Sequence, residues 1–266
     1  MKRREFITLL GGAAASVSPY AARAQQRERM RRIGILLPIS ANDRQFQTFL
    51  GAFLQELQQS GWSIGRNLQI ETRWATADPS EIRRHAAELA TLAPDVILAH
   101  GGSTVAPMLQ ATRTIPVVFP SAVDPVGAGF ADSLARPGGN ATGFVMFEYS
   151  IGGKWLELLK EIAPGMTRVG VLRDPFTTAG PAQFGAIQTA APTLRVEIHP
   201  IDVRDAAEIE RAIAAFAKTP NGGLIVTASG WAPRHRDLIL ALATQHKLPA
   251  IYYEHLFVAA GGLMSY

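Results

Sequence analysis

Several groups in this chain have the types and spacing needed to hold a small polar molecule. Gly101-Gly102-Ser103-Thr104 joins two glycines, which let a ligand approach the backbone, to two hydroxyls at a predicted helix start. Free N–H groups and the positive end of the helix make such a position attractive to an anion. The competing role for Ser103 is plain N-capping, and the two roles are compatible. Asp124 precedes Pro125 in an apolar neighbourhood and could accept hydrogen bonds from a ligand ammonium; its alternative role is to close an Asx turn or cap a helix. Ser40 and Ser121 belong to neighbouring loops of the same half, and Asp174, Ser229, Tyr253 and Glu254 to comparable loops of the second half. Trp231 and Phe176 could stack on a ligand, or simply pack.

Other chemistries are poorly supported. A hydrolase would have to use Ser103 or Ser121 with His100, but no G-x-S-x-G elbow is present and no third group orients the pair. No lysine follows the glycines at Walker A spacing and no G-x-G-x-x-G follows the first strand, so a nucleotide cofactor is not expected. No H-E-x-x-H or other spaced ligand cluster suggests a metal. His85, His235 and His246 fall on predicted helices and read as solvated. The residues themselves therefore point to no cofactor and no metal, and a hydrolase is discounted but kept as an alternative.

The elements that must carry these loops alternate. Strands are expected over 32–37, 67–74, 96–99 and 117–119, separated by helices over 43–60, about 78–93 and 101–112. This is the pattern of a parallel sheet covered by helices on both faces. Asp78, followed by Pro79, reads as a helix start, and Gly61 as a helix stop. Pro120 and Pro125 should interrupt regular structure around residues 121–124, and 127–134 reads as a short helix. The turn at 137–140 leads to a strand over 142–147. The alternation then restarts with helices over 150–162, 178–190, 205–216 and 233–246. The strands of this half are expected over 168–172, 195–201, 223–227 and 250–252. The candidate residues therefore sit in loops after parallel strands, where open α/β sheets bind ligands. Two such loop sets would face each other across a cleft. The first lobe is assigned to 32–145 and the second to 146–262, with 263–266 starting a return crossing to the first. Thr142 and Gly143 are the expected hinge.

The 266 residues suffice for one large or two modest domains, and 47% are hydrophobic. Lys2, Arg3, Arg4 and Arg23 against Glu5 place three of the four net positive charges within residues 1–24, so the basic balance says little about nucleic acid. Those residues have a positive start, an apolar run over 7–17 and an Ala22-Arg23-Ala24 cleavage pattern. Arg3-Arg4-Glu5-Phe6-Ile7 matches the twin-arginine type of export signal, with an ordinary secretory signal as the alternative. Cleavage after Ala24 and residence in the periplasm are expected. The absence of cysteine removes disulfides, thiolate chemistry and a lipidated N-terminal Cys from consideration.

Several segments together resemble the solute-binding component of ABC transporters, in particular the tryptophan/tyrosine-type and uncharacterised members with a type I periplasmic-binding fold. They are the RREFI signal, RIGILLP, GAFLQELQQSGWSIGRNLQIETRWA, IPVVFPSAVDPVGAGFADSLARPGGNATGF and the final VAAGGLMSY. The resemblance implies two Rossmann-like lobes, a ligand in the cleft between them, delivery to a membrane permease, and no catalysis. Such a protein is expected to act as a monomer on a small molecule, an amino acid or related carboxylate, without nucleic acid. An exported hydrolase and a sensor feeding a receptor are the alternative readings. Family members continue beyond GGLMSY, whereas this chain stops at Tyr266, so the fold is expected in C-terminally truncated form.

Overall fold

The computed structural model describes residues 30–76, 78–203 and 205–266. The proposed export signal, with Arg3, Arg4 and Ala24, lies outside the described residues.

Five strands form the first sheet: β1 (Arg31–Leu37), β2 (Leu68–Trp74), β3 (Val96–Ala99), β4 (Val117–Val123) and β5 (Ala141–Phe147). They lie in the order β2-β1-β3-β4-β5, and every neighbouring pair is parallel. Helices α1 (Arg44–Gln59), α2 (Pro79–Thr91) and α3 (Gly102–Ala111) connect the first four strands. The apolar run of β1 is buried on both faces. Leu36 packs with Ile82, Leu89 and Met108, while Ile35 and Leu37 pack with Phe46.

The second sheet repeats this plan with β6 (Arg168–Arg173), β7 (Glu197–Asp202), β8 (Gly222–Val226), β9 (Ala250–Tyr252) and β10 (Met264–Ser265), ordered β10-β9-β8-β6-β7 and again all parallel. Around it lie α4 (Ile151–Ile162), α5 (Ala179–Leu194), α6 (Ala206–Ala217), α7 (Arg236–Gln245) and the short α8 (His255–Ala259). Trp155, Leu156 and Leu159 of α4 are fully buried against this sheet.

Helix starts follow local chemistry. The Asp43 carboxylate accepts from the N–H groups of Gln45 and Phe46, Asp78 caps α2 with Pro79 at its first position, and Asp205 accepts from Glu208 N–H.

The structure departs from expectation in five places. β4 does not stop at Pro120 but runs on to Val123, and the proline sits where the register with β5 shifts between Phe119 and Ala122. A residue without an N–H is tolerated at such an irregularity on a strand. Residues 127–134 form turns rather than a helix; Gly129 takes φ 73° and the buried Phe130 pins the loop. Thr142 and Gly143 lie inside β5, paired with Val118 and Phe119, so they belong to the first sheet and not to the passage between lobes. A Cβ built on Gly143 would stand 2.0 Å from the Phe119 carbonyl oxygen, which gives this glycine a close-approach role instead. The chain leaves the first sheet after Phe147, two residues later than expected, and crosses over 148–150. Finally, Met264 and Ser265 pair with Ile251 and Tyr252, so they extend the second sheet.

Candidate functional site

The carboxyl ends of both sheets open on one cavity of about 700 Å³. From the first lobe it is lined by Ile39 after β1, by 100–103 after β3, and by Pro120 and Ser121 in β4. The second lobe contributes Thr177 after β6, Ser229 and Gly230 after β8, and Tyr253 and Glu254 after β9. A size of this order suits a ligand of a few to a few tens of heavy atoms.

One wall is aromatic. Phe46, Phe49 and Phe53 of α1 and Phe147 at the end of β5 all line the space. Phe49 remains 48% exposed, which shows how much of this wall faces the opening and not the core. Phe46, Phe49 and Phe53 recur at helical spacing, which equally fits a helix face packing inward, so spacing alone does not mark them as a binding wall.

The opposite feature is the start of α3. Its N-cap, Gly101, has φ 77° and no side chain, so no hydroxyl or carboxylate takes the first amides of the helix. The N–H groups of Gly102 and Ser103 have no intrahelical acceptor at this position and border the cavity. A carboxylate there would gain about 0.3–1 kcal/mol from the helix dipole in addition to its hydrogen bonds. His100 stands beside this turn with its ring edge-on to Phe46 at 4.8 Å. Burial pulls its pKa down to about 4, so the imidazole is neutral at physiological pH. No hydrogen bond joins its ring to Ser103 or Ser121 among the described residues.

The candidate residues divide clearly. Gly102, Ser103, Ser121, Ser229, Tyr253 and Glu254 line the cavity. Ser40, Thr104, Asp124 and Asp174 are not among its lining residues. Thr104 is fully buried, and its hydroxyl donates to the carbonyls of His100 (2.9 Å) and Gly101 (3.1 Å), locking the turn before α3. The Asp124 carboxylate accepts from Gly127 N–H at 2.8 Å and Tyr149 N–H at 3.4 Å, which is the turn-closing role. Asp174 accepts from Phe176 N–H at 2.9 Å, and Ser40 from Asn42 N–H at 3.4 Å. Trp231 is buried and Phe176 is 63% exposed, and neither lines the cavity.

Polar groups do remain within it. The Ser229 hydroxyl accepts from Ala232 N–H at 3.1 Å, keeping its own proton for another acceptor. Gln45 Nε2 is buried without a hydrogen-bond partner on the cavity wall. Burial raises the pKa of Glu254, and raises that of Tyr253 well above its ordinary value. The arrangement can enclose a molecule with an apolar body, offering backbone donors at one end and a carboxylate at the other.

A sequence model of ABC transporter substrate binding proteins matches residues 32–266. The tyrosine-binding protein of Clostridioides difficile (strain R20291) is 25% identical over 217 residues, a match covering 79% of this chain and 60% of that protein. The chain therefore spans about three-fifths of that curated relative's length. A conserved domain protein from Vibrio cholerae superposes with a TM-score of 0.79 at 22% identity, over 89% of this chain and 78% of the other. An ABC domain from Streptococcus pneumoniae in complex with L-Trp gives a TM-score of 0.77 at 19% identity, over 88% and 78%. At these identities the two structures establish a shared fold.

Proposed function

Because this chain belongs to the family of ABC transporter substrate-binding proteins, we propose that it captures a small carboxylate with an aromatic or bulky apolar body and presents it to a membrane permease. The observation that carries this reading is the cavity itself. It lies between the carboxyl edges of two parallel sheets, with an aromatic wall on α1 and the uncapped start of α3 beside it. The names of similar proteins point the same way, toward tyrosine in one case and a tryptophan complex in another. The role is capture and release without a chemical step. The protein works as a monomer in the periplasm, exported through Arg3-Arg4 and cleaved after Ala24.

The ligand's carboxylate sits on the Gly102 and Ser103 amides, and its ring on Phe46, Phe49 and Phe147. Calorimetric titration with aromatic amino acids and arylcarboxylates tests this. Micromolar or tighter binding of at least one is expected, with a rise in melting temperature as the native state is stabilised. Ser103→Pro, which removes one amide donor while keeping a residue compatible with a first helical turn, should weaken binding about tenfold. Unchanged affinity in that variant would place the carboxylate elsewhere. For export, Arg3→Lys combined with Arg4→Lys should leave precursor in the cytoplasm. Mass spectrometry of periplasmic protein beginning at Met1 would remove the cleavage proposal.

A further inference from the structure

Two polar groups on the cavity wall have bonding capacity that the fold does not use. The first is the Gln45 side chain. Its backbone is fixed in the first turn of α1, where the Gln45 N–H donates to the Asp43 carboxylate at 3.0 Å. Its amide is not fixed in this way. Nε2 is buried without a hydrogen-bond partner, and among the described residues nothing donates to Oε1. A half-turn of the terminal amide exchanges the two atoms, so the group can offer a donor or an acceptor. The second is His100, which lines the same cavity after β3. One ring nitrogen bonds the residue's own backbone. Burial keeps the imidazole neutral, with a pKa of about 4, so the other nitrogen presents a lone pair.

The topology brings these groups together. With the strands ordered β2-β1-β3-β4-β5, the chain leaves β1 to one side through α1 and returns to its other side at β3. Helix α1 covers one face, where Phe46 meets Ile35 and Leu37, and α3 the other, where Val105 and Met108 meet Leu36. The gap between the ends of β1 and β3 is therefore the switch point of the sheet, a place where open α/β sheets take ligands. Gln45 stands on its α1 side and His100 on its β3 side. Phe46, the residue after Gln45, meets the His100 ring edge-on at 4.8 Å, so both polar groups border one patch of the aromatic wall. A wall shaped for a purely apolar body gains nothing from a buried amide with an unmet bond, because such a group lowers stability.

We propose that Gln45 and His100 form a second polar subsite in the cavity, which takes a hydroxyl carried on the ligand's apolar body. This deepens the capture reading above and rests on it. A hydroxyl is the matching group because it donates and accepts at one atom. Its proton goes to the free His100 nitrogen, and its lone pairs receive the Gln45 amide N–H. A carboxylate in the same place would set its charge against the imidazole lone pair, and an ammonium would leave the amide N–H without an acceptor. The subsite is distinct from the uncapped start of α3, so the ligand is read at its carboxylate and again on its ring.

The test compares matched probes on the full chain by calorimetry: 3-phenylpropionate and L-phenylalanine, each beside its 2-, 3- and 4-hydroxyphenyl counterparts. In at least one of the two series, one ring-hydroxylated probe should bind the wild type about fivefold or more tighter than its parent, the effect of two neutral hydrogen bonds. Gln45→Met, similar in length and without polar atoms that donate, should bring that probe to within about twofold of its parent. The wild-type ratio carries the test even if the variant does not fold. Equal or weaker binding of every hydroxylated probe by the wild type means that the two groups are served by water, and overturns the inference while the capture reading stands. A preference that persists undiminished in folded Gln45→Met overturns it as well. If no probe of either series binds the wild type, the aromatic-carboxylate reading itself falls, and the inference with it.

Discussion

Asp124 shows how one side chain can be misread from its neighbours. An acid in an apolar loop after a buried strand looks like a ligand contact, and its sequence surroundings cannot reveal that its acceptors are already engaged. It sits at φ 41°, a conformation that L-residues other than Asn and Asp adopt with strain. Its two oxygens receive the amides of Gly127 and Tyr149, and its own N–H donates to Phe147 at 2.9 Å. Asp124 therefore braces the point where the chain leaves the first sheet. Asp124→Ala should lower stability by about 1–2 kcal/mol through the lost cap and the strained φ, while ligand affinity changes less than about threefold. Asp124→Asn, which tolerates the same backbone, should lose less than half as much. A large affinity loss in a stable Asp124→Ala protein would restore the residue to the site. His100 gives a second residue-level forecast. Its folded pKa of about 4 lies below the ordinary value of 6.5, so as pH falls between these values the unfolded chain binds a proton that the folded protein refuses. The contribution of His100 to stability is therefore retained above the ordinary value and lost toward pH 4, with a slope of at most about 1.4 kcal/mol per pH unit. Chemical denaturation at pH 7 and pH 5 should show a smaller acid loss in His100→Gln than in the wild type.

At the scale of elements, most of the fold was readable because the alternation of buried strands and amphipathic helices is strong in this chain. Capping residues Asp43, Asp78 and Asp205 mark helix starts that the structure reproduces. What the sequence hid were tertiary decisions. Pro120 suggested a stop, but β4 passes through it because the neighbouring strand accommodates a register shift. Gly143 suggested flexibility, whereas it permits contact between β5 and the Phe119 carbonyl. Gly143→Ala should then cost about 1–3 kcal/mol by overpacking, measured by denaturant unfolding, and a neutral result would mean that β5 can shift outward freely. The lining loops were legible as strand ends, but which side chains turn into the cleft depended on hydrogen bonds such as those of Thr104, which no spacing rule encodes. Another contact invisible from sequence joins the lobes. The Arg234 guanidinium, in the 3-10 turn Pro233–His235, donates to the Thr76 carbonyl of the first lobe. Thr76 is itself held, its N–H and hydroxyl both donating to Glu81, at 2.7 and 2.8 Å. Arg234→Ala should raise the radius of gyration of ligand-free protein in solution scattering, because one of the groups that holds the cleft shut is gone. An unchanged scattering profile would reduce the contact to a surface bond with no part in closure.

On the scale of the whole molecule, the two sheets share one cavity but no strand. The first is built entirely from residues 31–147 and the second from residues 168–265. Each is an unbroken run of chain, and their principal cores are separate clusters. The tryptophans happen to divide evenly, Trp62 and Trp74 in the first lobe and Trp155 and Trp231 in the second, so each lobe can be followed by its own fluorescence. Urea unfolding of a Trp62→Phe, Trp74→Phe protein and of a Trp155→Phe, Trp231→Phe protein should give midpoints that differ, and saturating ligand should draw them together by coupling the lobes. Coincident midpoints without ligand would mean that the lobes melt as one unit. The same contiguity gives the chain a direction in time. During synthesis, all five described strands of the first sheet emerge before the first strand of the second is made, so that sheet can assemble first, and the binding cleft comes into being only once the second sheet has followed.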